Sequence, residues 1–257
     1  LQRRAVYGPC VRLTVENLQG GHSGVEIHKN RANATKVMGE FLSRVQQLMP
    51  VCITKLSGGA KDNAIPRVCT AYVVADDPTE AFYAAAQRVK QTLPPTETEV
   101  EFFCCEAQCE EFPLNEASSM AFIALLNALP SGVQAMSEDI AGLVQTSLNL
   151  GILKTETDCA TMTFSVRSSV NAEKQELIGK LKSLGEAYGA EYSQSGEYPA
   201  WEYRKDSFLR DVMVAAYKEL YGKEPVVEAI HAGLECGIFS DRLPGLDAVS
   251  FGPQMHD

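Results

Sequence analysis

Hydrophobic positions along the chain switch between two periods, and the switches predict its elements. Val11 to Leu18 alternates as a strand does, whereas Val37, Met38, Phe41, Leu42, Val45 and Leu48 recur at helical spacing. Between them lies "NLQGGHSGVEIHKNRANAT", Asn17 to Thr35, where Gly20, Gly21 and Gly24 surround a histidine. Such glycines permit unusual backbone angles and close approach of another molecule, which suits a binding loop and equally a plain strand-to-helix turn. Ile65 to Ala75, broken near its start by Pro66, predicts a strand. Asp77-Pro78-Thr79-Glu80 then predicts a helix start, with Asp77 as N-cap and proline in the first turn. Phe82, Ala85, Ala86, Val89 and Leu93 form its apolar face, Pro94-Pro95 ends it, and Thr98 to Cys104 returns as a strand.

A second cycle follows. Met120 to Leu129 is helical up to Pro130, and Leu143–Leu153 with Cys159–Ser168 reads as a hairpin around "TETD". Asn171 is placed to cap a helix carrying Leu177, Ile178, Leu181 and Leu184, and Ala190 to Ser195 reads as a short strand. Two β-α-β type units with antiparallel pairing predict an α+β architecture, and their order suggests an internal duplication. "SGEYPAWEYRKDS", Ser195 to Ser207, shifts in composition like a linker. Beyond it Phe208, Leu209, Val212, Ala216, Tyr217 and Leu220 make an amphipathic helix, while "VVEAI" and "LDAVSF" read as strands of a partial α/β domain.

Composition narrows the classes. The 257 residues are 45% hydrophobic and 22% charged, enough apolar material for one large or two ordinary domains. A net charge of −10 without a basic run excludes a phosphate-backbone partner. No apolar segment approaches the roughly 18 residues of a membrane span, and "LQRRAVYGPC" lacks the apolar stretch of a signal peptide. The eight cysteines are scattered without a Cys-x-x-Cys pair, so reduced cysteines in a cytoplasmic enzyme are expected. The chain lacks an initiator methionine and stops just after an apolar run, so a fragment is expected.

Candidate chemistry gathers in two places. In the hairpin, Ala160, Met162, Phe164 and Val166 share one face and Thr161, Thr163, Ser165 and Arg167 the other. In the preceding strand Val144, Thr146, Leu148, Leu150 and Ile152 oppose Gln145, Ser147 and Asn149. A register pairing odd with odd unites Ser147, Asn149 and Arg167 on one polar surface. There the planar fork of Arg167 suits a carboxylate; the alternative is a solvated sheet face that it merely covers. The second place is "IHAGLECG", where His231, Gly233, Glu235 and Gly237 follow an apolar run, as ligand loops do in open α/β sheets. A turn that merely places a helix reads equally well. Nothing local activates Cys236, so a cysteine hydrolase built on Cys236 and His231 ranks far behind. Glu110-Glu111 reads as a solvated helix end, and His22 and His28, six apart, lack ligand spacing.

In order and spacing, "NLQGGHSGVEIH", "NAIPR", "QTSLNLG", "VRSS", "IHAGLECG" and "SFGP" resemble the later half of the aminoacyl-histidine dipeptidases, the Xaa-His or cytosolic non-specific dipeptidases of the M20 metallopeptidases. The resemblance runs from about residue 5 to the end. It implies a lid domain over residues 1–197 and a returning, incomplete part of a zinc-peptidase catalytic domain over 198–257. It also implies dipeptide hydrolysis by two zinc ions with a glutamate base, and a homodimer through the lid. By motif match His22 stabilises the oxyanion, Asn149 and Arg167 grip the substrate, and Gly233 and Glu235 line its far end. The family's His-x-Asp motif, bridging aspartate and Glu-Glu pair have no counterpart here, and His256 does not match its last metal ligand. The isolated chain is therefore expected to bind no catalytic zinc and to be inactive. A non-catalytic α+β assembly module is the alternative.

Overall fold

Val11, Leu13 and Val15 turn inward from strand β1 (Cys10–Glu16), while Arg12 points to solvent. This alternation seeds the sheet of the computed structural model, which describes residues 1–5, 8–76, 78–231 and 235–252. In chain order there follow β2 (Gly21–His22), α1 (Ala34–Gln46), β3 (Cys52–Gly58), β4 (Ala64–Ile65), β5 (Cys69–Val74) and α2 (Thr79–Lys90). Then come β6 (Glu101–Glu106), α3 (Glu116–Ala128), β7 (Gly132–Met136), β8 (Val144–Thr155), β9 (Ala160–Ser168) and α4 (Asn171–Ala187). Helices α5 (Phe208–Tyr221) and α6 (Glu235–Arg242) lie beyond.

The fold is α+β with an antiparallel sheet, as the periodicity predicts. Seven strands form one sheet in the order β6-β1-β5-β3-β8-β7, with β9 also on β8. Because β9 runs beside β8 from Thr146 to Thr155, β3 and β7 share the other edge of β8. The first run of long elements is β-α-β-β-α-β and the second α-β-β-β-α, so the element order does not support a duplication. Helices α1, α2 and α3 cover the sheet through one core, in which Phe41 packs between Phe82 and Phe102 at centroid distances of 5.9 and 5.3 Å. Leu177 and Leu181 of α4 close a second core on Leu125, Leu129 and Leu148.

Several expectations are corrected. Strand β3 went unread in the sequence, because a bulge between Ile53 and Lys55 interrupts the alternation of "CITKLSG", which resumes only from Thr54 to Gly58. Helix α2 begins at Thr79 with Pro78 in the flanking cap position; Asp77 lies outside the described residues. Asn171 is the first residue of α4 and does not cap it, since its Oδ1 accepts the Ala200 N–H at 3.1 Å. Ala190–Ser195, "VVEAI" and "LDAVSF" form no strand: a strand needs a ladder, and these segments meet none among the described residues.

Cys10 and Cys109 form a disulfide across 99 residues with Cα atoms 5.9 Å apart, which corrects the expectation of reduced cysteines for that pair. The β1–β6 ladder runs on into an Ala107 N–H to Cys10 carbonyl bond of 2.9 Å, and this delivers Cys109 to its partner. The other six cysteines are free.

Candidate active site

The loop entering α1 is folded around its histidine. Gly20 and Gly21, at φ of 62° and 138°, take the chain through a turn into β2, where His22 pairs with Ala64 of β4. The chain then folds back on the ring: Nδ1 of His22 accepts the backbone N–H of Gly24 at 3.0 Å and of Val25 at 3.2 Å. With Nδ1 occupied as acceptor, the ring proton sits on Nε2, which is left as a donor. Glu26 closes the turn. Its Oε2 accepts the His22 N–H at 2.9 Å, and its own N–H donates to the His22 carbonyl at 3.2 Å. The Lys29 ammonium at 2.8 Å and the His22 amide hold the Glu26 carboxyl down at about 2, with Arg31 adding attraction from 3.2 Å.

The hairpin supplies the opposite side. Its register is odd with odd, placing Ser147 across from Arg167 and Asn149 across from Ser165. A bulge after Leu150 breaks the pattern. Leu153 takes the core position that the alternation assigns to Ile152, which is corrected to a half-buried place off the core. The polar face is covered rather than solvated, with Ser147 only 1% and Asn149 only 2% exposed. Arg167 is half-buried there and its Nε has no hydrogen-bond partner. Burial lowers the affinity of its guanidinium for the proton, and the charge of Asp62 acts against that.

Asn149 is fully engaged. Its Nδ2 donates to the carbonyls of Asp62 at 3.2 Å and Ala64 at 2.8 Å, and its Oδ1 accepts Asn33 Nδ2 at 3.1 Å. Both donors being committed, Asn149 braces the 62–64 loop beside His22 and has no N–H left for a ligand. Asn33 also caps α1, accepting the N–H of Thr35 at 3.0 Å and of Lys36 at 3.3 Å, so one buried amide joins helix, loop and sheet. Beside it opens a cavity of about 240 Å³, lined by Arg31, Asn33, Lys36, Ile65 and Asn149 among others. Lys36 gives its ammonium to the carbonyls of Leu126, Asn127 and Leu129 at the end of α3, and burial pushes its pKa down to about 8.

His231 joins the two sides. Its Nε2 lies 2.7 Å from Ser147 Oγ across 84 residues of sequence. Burial and the neighbouring Arg167 charge pull its pKa down to about 4, against a backbone contact with Val144. The ring is thus neutral, and its tautomer sets which of Nε2 and Oγ donates in this contact. Of the other candidates, Glu235 opens α6 on the surface and Gly233 lies outside the described residues, as does His256. Glu111 is occupied by Arg3 at 2.8 Å, and His28 is exposed on a short 3₁₀ turn, Ile27–Lys29. The sequence placed Ser147 and Arg167 on one face and pointed to His22 and His231 apart from it. Neither the Ser147–His231 contact nor the Asn33 brace was visible, because both depend on how distant loops meet.

Among the described residues no three His, Cys, Asp or Glu side chains converge on a point that could hold a metal ion. The side chains of the described residues therefore do not fit a zinc pair. No helix among the described residues is long and apolar enough to cross a membrane.

Comparison with known proteins gives this arrangement its class. Residues 13–98, from β1 through α2, match the peptidase dimerisation domain of the M20 family, and the chain carries that domain. Across nearly its whole length it is similar to one kind of M20 protein. It is 34% identical over 249 residues to the cytosol non-specific dipeptidase of Escherichia coli (strain K12), covering 95% of this chain and 51% of that one. The crystal structure of aminoacylhistidine dipeptidase from Vibrio alginolyticus superposes with a TM-score of 0.91 at 36% identity, over 98% of this chain and 53% of that one. The chain thus spans about half the length of both.

Proposed function

We propose that this chain is the lid, over residues 1–197, and a returning portion, over 198–257, of an M20 dipeptidase that hydrolyses Xaa-His and other dipeptides in the cytoplasm. The observation carrying the reading is two prepared groups linked through His231, whose ring lies 2.7 Å from Ser147, across the ladder from Arg167, and whose carbonyl lies by Gly24 of the His22 turn. The His22 turn occupies Nδ1 with backbone N–H groups and leaves Nε2–H as donor, while Arg167 keeps an unpaired buried Nε on the adjoining sheet face. A dipeptide needs both ends recognised. A donor set at the scissile carbonyl stabilises the charge developing on its oxygen, and a guanidinium takes the free carboxylate through paired N–H bonds. Desolvation strengthens both interactions, and the Arg167 face is already buried before anything binds. Glu235 and Gly233 are proposed to line the far side. Asn149 serves by holding the 62–64 loop against His22.

In this reading a zinc pair would be held by residues outside this chain, and would supply Lewis-acid polarisation and an activated water there. The apolar surface of residues 198–252 supports that division. Phe208 is 81% exposed, Leu220 76% and Phe251 83%, a surface suited to further packing. The similar dipeptidases, about twice as long, agree with it.

Arg167→Met in the full-length enzyme tests the assignment. KM for a dipeptide with a free carboxylate should rise sharply while that for its amidated counterpart stays near wild type. Equal losses for both substrates would remove Arg167 from the carboxylate site. A second role, homodimerisation through the lid, is favoured by the dimerisation-domain match and by β6, whose outer edge has no partner strand among the described residues. Light scattering before and after removal of residues 198–257 tests it, since a lid-borne dimer survives that truncation.

A further inference from the structure

One residue touches both halves of the site. The ring of His231 lies on Ser147, which stands directly across the ladder from Arg167. The carbonyl of His231 lies against Gly24 in the other half. A Cβ at Gly24 would come within 3.1 Å of that carbonyl and 3.0 Å of Cε1 in the His22 ring. Side chain and backbone of His231 therefore bridge from the Arg167 strand to the His22 turn. Both partners of the contact are buried, Ser147 at 1% and His231 at 9% exposure. A buried hydrogen bond is costly to leave half made, so this bridge resists stretching.

From this geometry we infer that the Ser147–His231 contact is a positioning device that fixes the separation of His22 and Arg167 and so selects peptides by length. The inference rests on the functional reading above. In a dipeptide a single residue separates the scissile carbonyl from the terminal carboxylate, and each further residue adds about 3.3–3.6 Å when extended. A misplacement of about 1 Å costs a reaction on the order of 10²-fold, so a rigid spacing rejects a chain one residue longer. The neutral state of the ring serves the same end. A charged His231 would repel Arg167 and compete for the carboxylate that Arg167 binds. His231 and Ser147 act through their neighbours and touch no reacting atom in this account.

The test uses the full-length enzyme and two substrates, a Xaa-His dipeptide and the tripeptide one residue longer at its carboxyl end. Ser147→Ala removes the hydroxyl from the ring with little change in volume, and Gly24→Ala drives a methyl between His231 and His22. In both variants the dipeptide-over-tripeptide ratio of kcat/KM should fall by at least about tenfold, with Ser147→Thr, which keeps the hydroxyl, restoring it. A purely structural role would weaken both substrates alike and leave the ratio unchanged, which overturns the inference. If the wild-type enzyme cleaves no dipeptide, the functional reading fails and takes the inference with it. A wild type that cleaves dipeptides, with variants that keep its ratio, overturns the inference alone.

Discussion

His22 shows how a flexible sequence becomes a fixed donor. Three glycines admit the turn, but two backbone N–H bonds to Nδ1 and the Glu26 carboxylate define the ring position and tautomer. In the full-length enzyme, His22→Ala should lower kcat by about 10²–10³ with a smaller effect on KM. Steady-state kinetics checks this, and an unchanged kcat removes His22 from the mechanism. His231 makes a prediction of its own. Its pKa is about 4 when folded, against an ordinary value of 6.5. Between those pH values the unfolded chain binds a proton that the folded chain refuses, so stability must fall as pH drops from 6.5 towards 4 and level off below. The full difference is on the order of 3 kcal/mol. Urea denaturation across that range should show the decline in wild type and a shallower one in His231→Gln, which cannot take up the proton.

At the level of elements, the bulge in β8 positions the loop that Asn149 holds. Gly151 sits in it because a Cβ there would fall 2.4 Å from the Asp62 carbonyl oxygen and 2.5 Å from its Cα. Those are backbone atoms, which cannot swing aside as a side-chain tip can. Gly151→Ala should therefore destabilise by about 1–3 kcal/mol, the cost of overpacking, and denaturant midpoints will read it. The same bulge marks where sequence reasoning stops. Up to Leu150 the polar and apolar positions of β8 and β9 alternate in step, so the polar face and, for an odd-with-odd register, the approach of Ser147 to Arg167 could be read, whereas its covering could not. At Gly151 the backbone of a loop ninety residues earlier decides the geometry, and alternation carries no trace of it. "VVEAI" fails for a related reason: an apolar run shows a wish for burial, but only a partner strand makes it a strand. His231 was legible as a candidate through its glycine-flanked motif, but its partner Ser147 was not, since no local pattern links residues 84 apart.

The whole molecule divides unevenly between packed and unpacked parts. Residues up to α4 enclose two large apolar cores and a small third against the seven-stranded antiparallel sheet, while α5 buries none of its residues. A helix with an apolar stripe and no partner has little tertiary support of its own. Its apolar residues suit a larger body, as the twofold length of the similar dipeptidases suggests. In the proposed reading the lid brings an oxyanion donor, a carboxylate binder and a bridge that spaces them, and the metal chemistry comes from elsewhere in the enzyme. The most direct measurement is zinc-dependent hydrolysis of a Xaa-His dipeptide by the purified 257-residue chain and by the same chain extended to the length of its dipeptidase relatives. The account predicts no turnover by the first and robust turnover by the second. Metal-dependent cleavage by the 257-residue chain alone, or none by the extended chain, would contradict it.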